Sequence, residues 1–214
     1  MTNQPETETL PSAQLIKKGL LSINPTNNKP FTGITIEHYY NGKNPFDISK
    51  IKTRTTFKQG RKNGPIEWFH KNGQLWIREN YKNGKEDGLR ETFYSKSDNN
   101  PLVLHGPIAT RGNYKDGKHD GLSERFYDNG QLESRGNIKE EKPNGLFEFF
   151  YQNGQLNFRG NYKDGKQDGL WEYYYENGQV WMRGNYKNGK KDDPTEMQVS
   201  PSVFFSQTDD DIPF

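Results

Sequence analysis

The sequence predicts an all-β protein: a single-layer meander of antiparallel β-hairpins, extended and twisted, with flexible termini. Three observations predict it. Asn-Gly and Asp-Gly pairs recur along the chain, short aromatic runs stand between them, and glycine is too dense in the repeats for a helix to form. Only 29% of the 214 residues are hydrophobic and the mean hydropathy is -1.18, too polar for an ordinary core. Yet 14% are aromatic, at fixed spacings that disordered chains lack. A repeat architecture reconciles the two.

The unit is 24 residues long, clearest in GLFEFFYQNGQLNFRGNYKDGKQD (145–168) and GLWEYYYENGQVWMRGNYKNGKKD (169–192). Units also begin at Gly64, Gly88 and Gly121. The Gly88 unit is stretched to 33 residues by an insertion around SKSDNNPLVLHGP, and a degenerate first unit starts near Gly33 with extra residues around NPFDISK. In each unit an aromatic run such as FEFFY leads to Asn-Gly and then to a second run such as QLNFRGNY. Asn-Gly suits a type I′ turn, which needs positive φ at both central residues. Asn72-Gly73, Asn129-Gly130, Asn153-Gly154 and Asn177-Gly178 are therefore expected to form such turns. A second set follows at Asn83-Gly84, Asp116-Gly117, Asp164-Gly165 and Asn188-Gly189, and Asp-Gly joins successive units.

The pattern G-L-x-E-x-F-Y-x-N-G-Q-L-x-x-R-G-N-Y-K-x-G-K-x-D resembles the MORN-repeat family, in particular the bacterial MORN-repeat-variant proteins known as YwqK-type antitoxins. It is met best over 145–192 and less well over 121–144, where Ile138 replaces the tyrosine and the turn reads EEKPN. The resemblance covers roughly residues 31–192. It implies a β-hairpin repeat fold and a role in protein binding, scaffolding or lipid association, with neutralisation of a toxin in some members.

Arginine recurs once per unit, at Arg54, Arg78, Arg111, Arg135, Arg159 and Arg183. One reading is a basic ladder for phosphate or an acidic partner. The favoured reading is that each arginine pairs with a repeat glutamate (Glu67, Glu91, Glu124, Glu148, Glu172) and stacks on a neighbouring ring. Two adjacent aromatic columns follow: Phe69, Phe93, Phe126, Phe150, Tyr174, and His70, Tyr94, Tyr127, Tyr151, Tyr175. Neighbours on a strand point to opposite faces, so one column is expected to remain partly exposed and able to bind a protein. Arg78, Arg135, Arg159, Arg183, Trp76 and Trp181 are the candidate repeat-surface contacts. Interleaved acids argue against direct nucleic-acid binding.

No enzyme is expected. Catalysis needs an acid–base or nucleophilic set that is not repeated, and no such set is legible, so no catalytic residue, metal ligand or cofactor is expected. There is no cysteine, the four histidines are scattered, and the Gly-Lys pairs follow hairpins rather than open helices. Neither a secretory leader nor a membrane span is legible, which predicts a soluble, cytoplasmic protein with no membrane partner.

All 30 Lys and Arg fall between Lys17 and Lys191 beside 20 acids, leaving +10 there, whereas six acids and no cation follow Lys191. This divides the chain into a flexible segment 1–16, a repeat domain 17–192, a flexible linker 193–208 and an interaction tip 209–214. The tip, DDDIPF, resembles the C-terminal end of bacterial single-stranded-DNA-binding protein, by which that protein recruits genome-maintenance enzymes. The resemblance implies that Phe214 enters an apolar pocket while its carboxylate meets a cation. Ile212 would add apolar area and Pro213 would stiffen the approach, while Asp209, Asp210 and Asp211 would steer the peptide to a basic surface. The expected partners are the enzymes that bind that tail, with a cognate toxin as the alternative.

Overall fold

The computed structural model describes residues 8–39, 50–95 and 105–192. Among them, strand alternates with tight turns: β1 Thr9–Pro11, β2 Ile16–Lys18, β3 Leu21–Ile23, β4 Gly33–His38, β5 Ile51–Lys58, β6 Arg61–Phe69, β7 Leu75–Lys82, β8 Lys85–Glu86, β9 Gly88–Phe93, β10 Ile108–Lys115, β11 Lys118–Phe126, β12 Leu132–Lys139, β13 Lys142–Phe150, β14 Leu156–Lys163, β15 Lys166–Tyr174, β16 Val180–Lys187 and β17 Lys190–Lys191. One open sheet takes the order β1-β4-β5-β6-β7-β9 and then β10 to β17 in sequence, with β8 beside β7 and β2–β3 as a separate hairpin. Every pairing in the sheet is antiparallel except β1 with β4.

Two kinds of turn alternate, and they correct the expected turn chemistry. Type I′ geometry, with positive φ at both central residues, occurs in the second set: Asn83-Gly84, Asp116-Gly117, Asp164-Gly165 and Asn188-Gly189, together with Gln59-Gly60 and Glu140-Glu141. At Asn72-Gly73, Asn129-Gly130, Asn153-Gly154 and Asn177-Gly178 only the glycine has positive φ. There the glycine N–H donates to the carbonyl three residues back, and the loop is closed by a bond such as Tyr151 N–H to Gln155 O at 2.8 Å. Asparagine is used here for its side chain: Asn72, Asn129, Asn153 and Asn177 each accept from the backbone N–H two residues on.

A single layer has little interior; besides Ile66, Leu75 and Phe93, buried in β6, β7 and β9, packing is concentrated in two places. Residues 8–31 cap the first edge. Phe31 and Ile23 are buried, the Phe31 ring lies 5.9 Å from that of Phe57, Ser22 N–H donates to Gly60 O at 2.7 Å, and Asn24 donates to Glu8 at 2.7 Å. Of the segment 1–16 expected to be flexible, Thr9, Leu10 and Pro11 pair with Ile34, Thr35 and Ile36, and residues 1–7 lie outside the described residues. Toward the other end, aromatic rings lie over glycines of the neighbouring strand. Phe147 covers Gly136 and Trp171 covers Gly160, and any side-chain carbon at either glycine would overlap the ring. Trp171, 1% exposed, is boxed by Tyr162 and Tyr186 edge-on. Residues 193–214, including the expected linker and the DDDIPF tip, lie outside the described residues, as do most of both insertions.

Candidate functional site

Because successive units keep one register, each contributes to the same rows. Arg54, Glu67, Arg78, Glu91, Arg111, Glu124, Arg135, Glu148, Arg159, Glu172 and Arg183 are direct cross-strand partners in an unbroken line from β5 to β16. Charge alternates at every strand. Arg54, Arg111, Arg159 and Arg183 lie 2.6 to 3.0 Å from their glutamates, and Arg78 reaches Glu67 at 3.2 Å and Glu91 at 3.8 Å. Arg54, Arg111 and Arg135 also cover the rings of Phe69, Phe126 and Phe150 at 5.6 to 5.8 Å. The arginines are therefore engaged with carboxylates and rings, not gathered as a basic strip. The glutamates are the more buried partners. Burial alone would raise Glu172, but hydrogen bonds from Arg159 and Tyr174 and the charges of Arg159 and Arg183 hold it below the ordinary carboxylate range. Half-exposed pairs contribute about 0–1 kcal/mol each. Their stronger effect is on register, since a slip of one residue would remove every ladder residue from its partner.

Beside the ladder, on the same face by strand alternation, stand the Phe69–Tyr174 column and a row of exposed leucines, Leu122, Leu146 and Leu170. The tyrosine column points the other way and is used as a clasp between units. The hydroxyls of Tyr39, Tyr94, Tyr127 and Tyr151 donate to the carbonyls of Phe69, Phe126, Phe150 and Tyr174 in the following unit at 2.6 to 2.8 Å. Tyr175, the last of the column, is 38% exposed and has no such acceptor among the described residues.

The candidate contacts do not form one site. Arg78, Arg135, Arg159 and Arg183 line the ladder, whereas Trp76 and Trp181 lie on the opposite face. Each tryptophan is the extra residue at a register shift, between Trp68/Phe69 and Tyr173/Tyr174 respectively. Trp76 accordingly meets His70 at 5.6 Å, and Trp181 meets Tyr173 and Tyr175 at 5.8 and 6.2 Å. At ordinary strand spacing β7 and β16 are about 40 Å apart. The terminal group of Tyr173, Tyr175 and Trp181 is the larger apolar surface of the two.

One cluster escaped the sequence reading. Glu79 occupies the position held elsewhere by Gly112, Gly136, Gly160 and Gly184, so the triplet reads R-E-N instead of R-G-N. In place of a ring over glycine, Arg90 approaches Glu79 at 3.3 Å and Glu86 at 3.9 Å, and covers the Tyr114 ring. Tyr81 donates to Glu79 at 3.1 Å, and His119 stacks on Tyr114 at 4.8 Å. Burial, then the Glu79 carboxylate, push Glu86 up; burial, then the Arg90 charge, push His119 down. Burial and Glu79 drive Tyr81 to about 12. A depression of about 1040 Å³ nearby is lined by Asn63, Gly64, Asn80, Tyr81 and Gly88, but Glu79, Glu86, Arg90 and His119 do not line it. The cluster is thus a polar replacement for ring packing rather than an acid–base pair facing a substrate. Among the described residues no group of His, Asp and Glu could hold a metal ion, and no helix is long and apolar enough to cross a membrane.

The family model for the MORN repeat variant matches residues 62–83, 120–140, 143–164 and 167–188. Each match covers one long hairpin, β6–β7, β11–β12, β13–β14 and β15–β16. The two units with insertions fall outside the matches. No curated protein matches the chain significantly.

Proposed function

Starting from four MORN-variant hairpins in one open sheet, we propose that the protein is a non-enzymatic scaffold. Its sheet binds one protein, and its DDDIPF tip docks on genome-maintenance enzymes that bind the tail of bacterial single-stranded-DNA-binding protein. The observation that carries the reading is the pairing of that six-residue tip with a surface whose repeated charges are already neutralised in a ladder. The scaffold supplies surface and spacing. The tip supplies a chemically specific ligand: in a chain ending at Phe214, ring and carboxylate are captured together, and the three aspartates speed encounter with a basic pocket. Binding through so few residues is modest and salt-sensitive. Affinity capture from a bacterial lysate with the full chain, a chain lacking Phe214 and a chain extended beyond it tests the proposal. Repair and replication enzymes should be recovered only by the first; equal recovery by all three would refute the role of the tip.

A second reading is an antitoxin or immunity protein that covers a toxin with the sheet. It is favoured by the apolar group of Tyr173, Tyr175 and Trp181 on one face. Co-expression with a toxin encoded beside it distinguishes the two: protection that survives loss of Phe214 but fails on Trp181→Ala belongs to the sheet.

A further inference from the structure

Each of the six type I′ turns is flanked by two cations that are direct cross-strand partners. The first pair is Lys58 with Arg61, and every later one is two lysines, from Lys82 with Lys85 to Lys187 with Lys190. All twelve residues are exposed. Opposed residues project from the same face, and in a meander these turns all lie at one end of the strands, so the cations form one row from β5 to β17. At ordinary strand spacing the row is about 50 Å long. Lys163 follows Arg159 by four residues, which places the row on the ladder face. Such a row costs stability, because like charges directly opposite one another repel. Solubility does not require it: lysine opposite an acid would be as polar, and the same units use that alternation in the ladder. The acids that interleave with lysine in the sequence are thus separated from it in the sheet. The ladder glutamates are taken by arginine. Among the described residues the aspartates of the unit junctions, such as Asp168, form no ion pair with the row, and of the turn acids only Asp116 reaches it, at 4.0 Å from Lys85. Beside the cations runs an apolar row. Leu146 is opposite Asn161, two residues before Lys163 and on the same face, and Leu122 and Leu170 repeat the position; the three are 40 to 46% exposed.

We propose that this edge of the sheet binds a single-stranded nucleic acid, with phosphates along the cation row and bases over the leucines. Three features favour this occupant. Eleven of the twelve cations are lysine, a point charge suited to a succession of phosphates, whereas gripping single carboxylates is better done by the arginine fork. The twist between neighbouring strands turns the row as it crosses the sheet, so a flexible strand can follow it where a duplex, stiff over about 150 base pairs, cannot. The leucines lie about 7 Å from the cations, two residues along the strand, and offer bases an apolar surface that a bare polyanion would leave unused. Because the same pair recurs at every turn, the row reads charge and not sequence. The inference goes beyond the protein partners of the scaffold and does not depend on what Phe214 binds.

Fluorescence anisotropy with the full-length chain and a labelled oligothymidylate tests the proposal, beside a duplex of equal length, polyaspartate and vesicles containing anionic phospholipid. The oligothymidylate should bind in low salt, and log K against log salt should fall with a slope of up to about −8, about 0.7 for each engaged cation. Lys163→Gln should reduce that slope by about 0.7, and adding Lys166→Gln should double the reduction. The melting temperature of the double variant should be unchanged or higher, since a repelling pair is removed. Lys71→Gln is the charge control: Lys71 is exposed in a turn of the other kind, at the far end of the strands, and its loss should leave the slope unaltered. Leu146→Ser should weaken binding without changing the slope. Absence of binding in low salt, or an effect of Lys71→Gln equal to that of Lys163→Gln, would overturn the proposal. So would tighter binding of the duplex, of polyaspartate or of the vesicles, the last two identifying an acidic protein or a membrane as the occupant.

Discussion

The covering of Gly160 by Trp171 is the most exacting feature of the sheet, and Gly160→Ala tests it with one methyl group. Glycine inside a strand ordinarily costs about 0.5–1 kcal/mol relative to alanine, so the default expectation is stabilisation. Here the new methyl would fall within the indole of Trp171, which cannot easily retreat. Its Nε1 donates to Asn161 O at 3.2 Å, and Tyr162 and Tyr186 hold it edge-on at 5.2 and 6.0 Å. Overpacking of this kind costs about 1–3 kcal/mol, enough to reverse the sign. Gly184→Ala is the matched control, because only the flexible end of Lys191 and the edge of Tyr186 lie near it. Urea denaturation of the full chain, followed by tryptophan fluorescence, should show a lower midpoint for Gly160→Ala and an unchanged or higher one for Gly184→Ala. Adding Trp171→Leu to Gly160→Ala should recover part of the loss, since residues in contact couple by about 0.5–3 kcal/mol. A Gly160→Ala protein as stable as the parent would refute the packing argument.

Two further changes follow from local geometry. Glu141→Gly should stabilise by about 0.5–1 kcal/mol, because Glu141 has φ of 67° in a turn whose five counterparts carry glycine there; the left-handed penalty of about 1–2 kcal/mol is offset in part by the entropy of glycine. Thermal melts check this, and a lower midpoint would contradict it. His119 is held below its ordinary value of 6.5, so the folded chain binds its proton less readily than the unfolded chain. Its contribution is complete above that value and is lost as pH falls below it. His119→Gln should therefore flatten the change in melting temperature between about pH 5 and pH 8, and an unaltered slope would remove His119 as the cause.

The rows were legible because a fixed period aligns them: the arginine and glutamate columns, read as pairs in the sequence, are register partners in the sheet. Three features were not legible, each for a physical reason. Asn-Gly occurs in both kinds of turn, and the dipeptide alone does not tell a left-handed asparagine such as Asn83 from one such as Asn72 that serves through its side chain. The cap of residues 8–31 has no repeat signal and is held by contacts distant in sequence, such as Ser22 to Gly60. Strand parity would set Trp76 beside Arg78 and Trp181 beside Arg183, but the register shifts add one residue and turn both rings to the other face. The Glu79 cluster is different: its signal, glutamate in a column of glycines, is present in the sequence.

A surface made of repeated rows offers a partner the same contact about every 9–10 Å, two strand spacings. Such a surface can hold an extended partner, but it does not choose where along the sheet that partner stops or starts. Choice has to come from departures from the repeat. Among the described residues these are few: Trp76 beside His70, the Glu79–Arg90–Glu86 cluster with His119, and the terminal group of Tyr175 and Trp181. The cluster is largely buried in its own contacts, which leaves the two tryptophan sites as the places where the sheet itself can discriminate. They stand about 40 Å apart at ordinary strand spacing, on the face away from the charge ladder. A protein bound there would leave the charge ladder untouched, but it would share a face with the Trp171–Tyr173 packing and the tyrosine clasps between units.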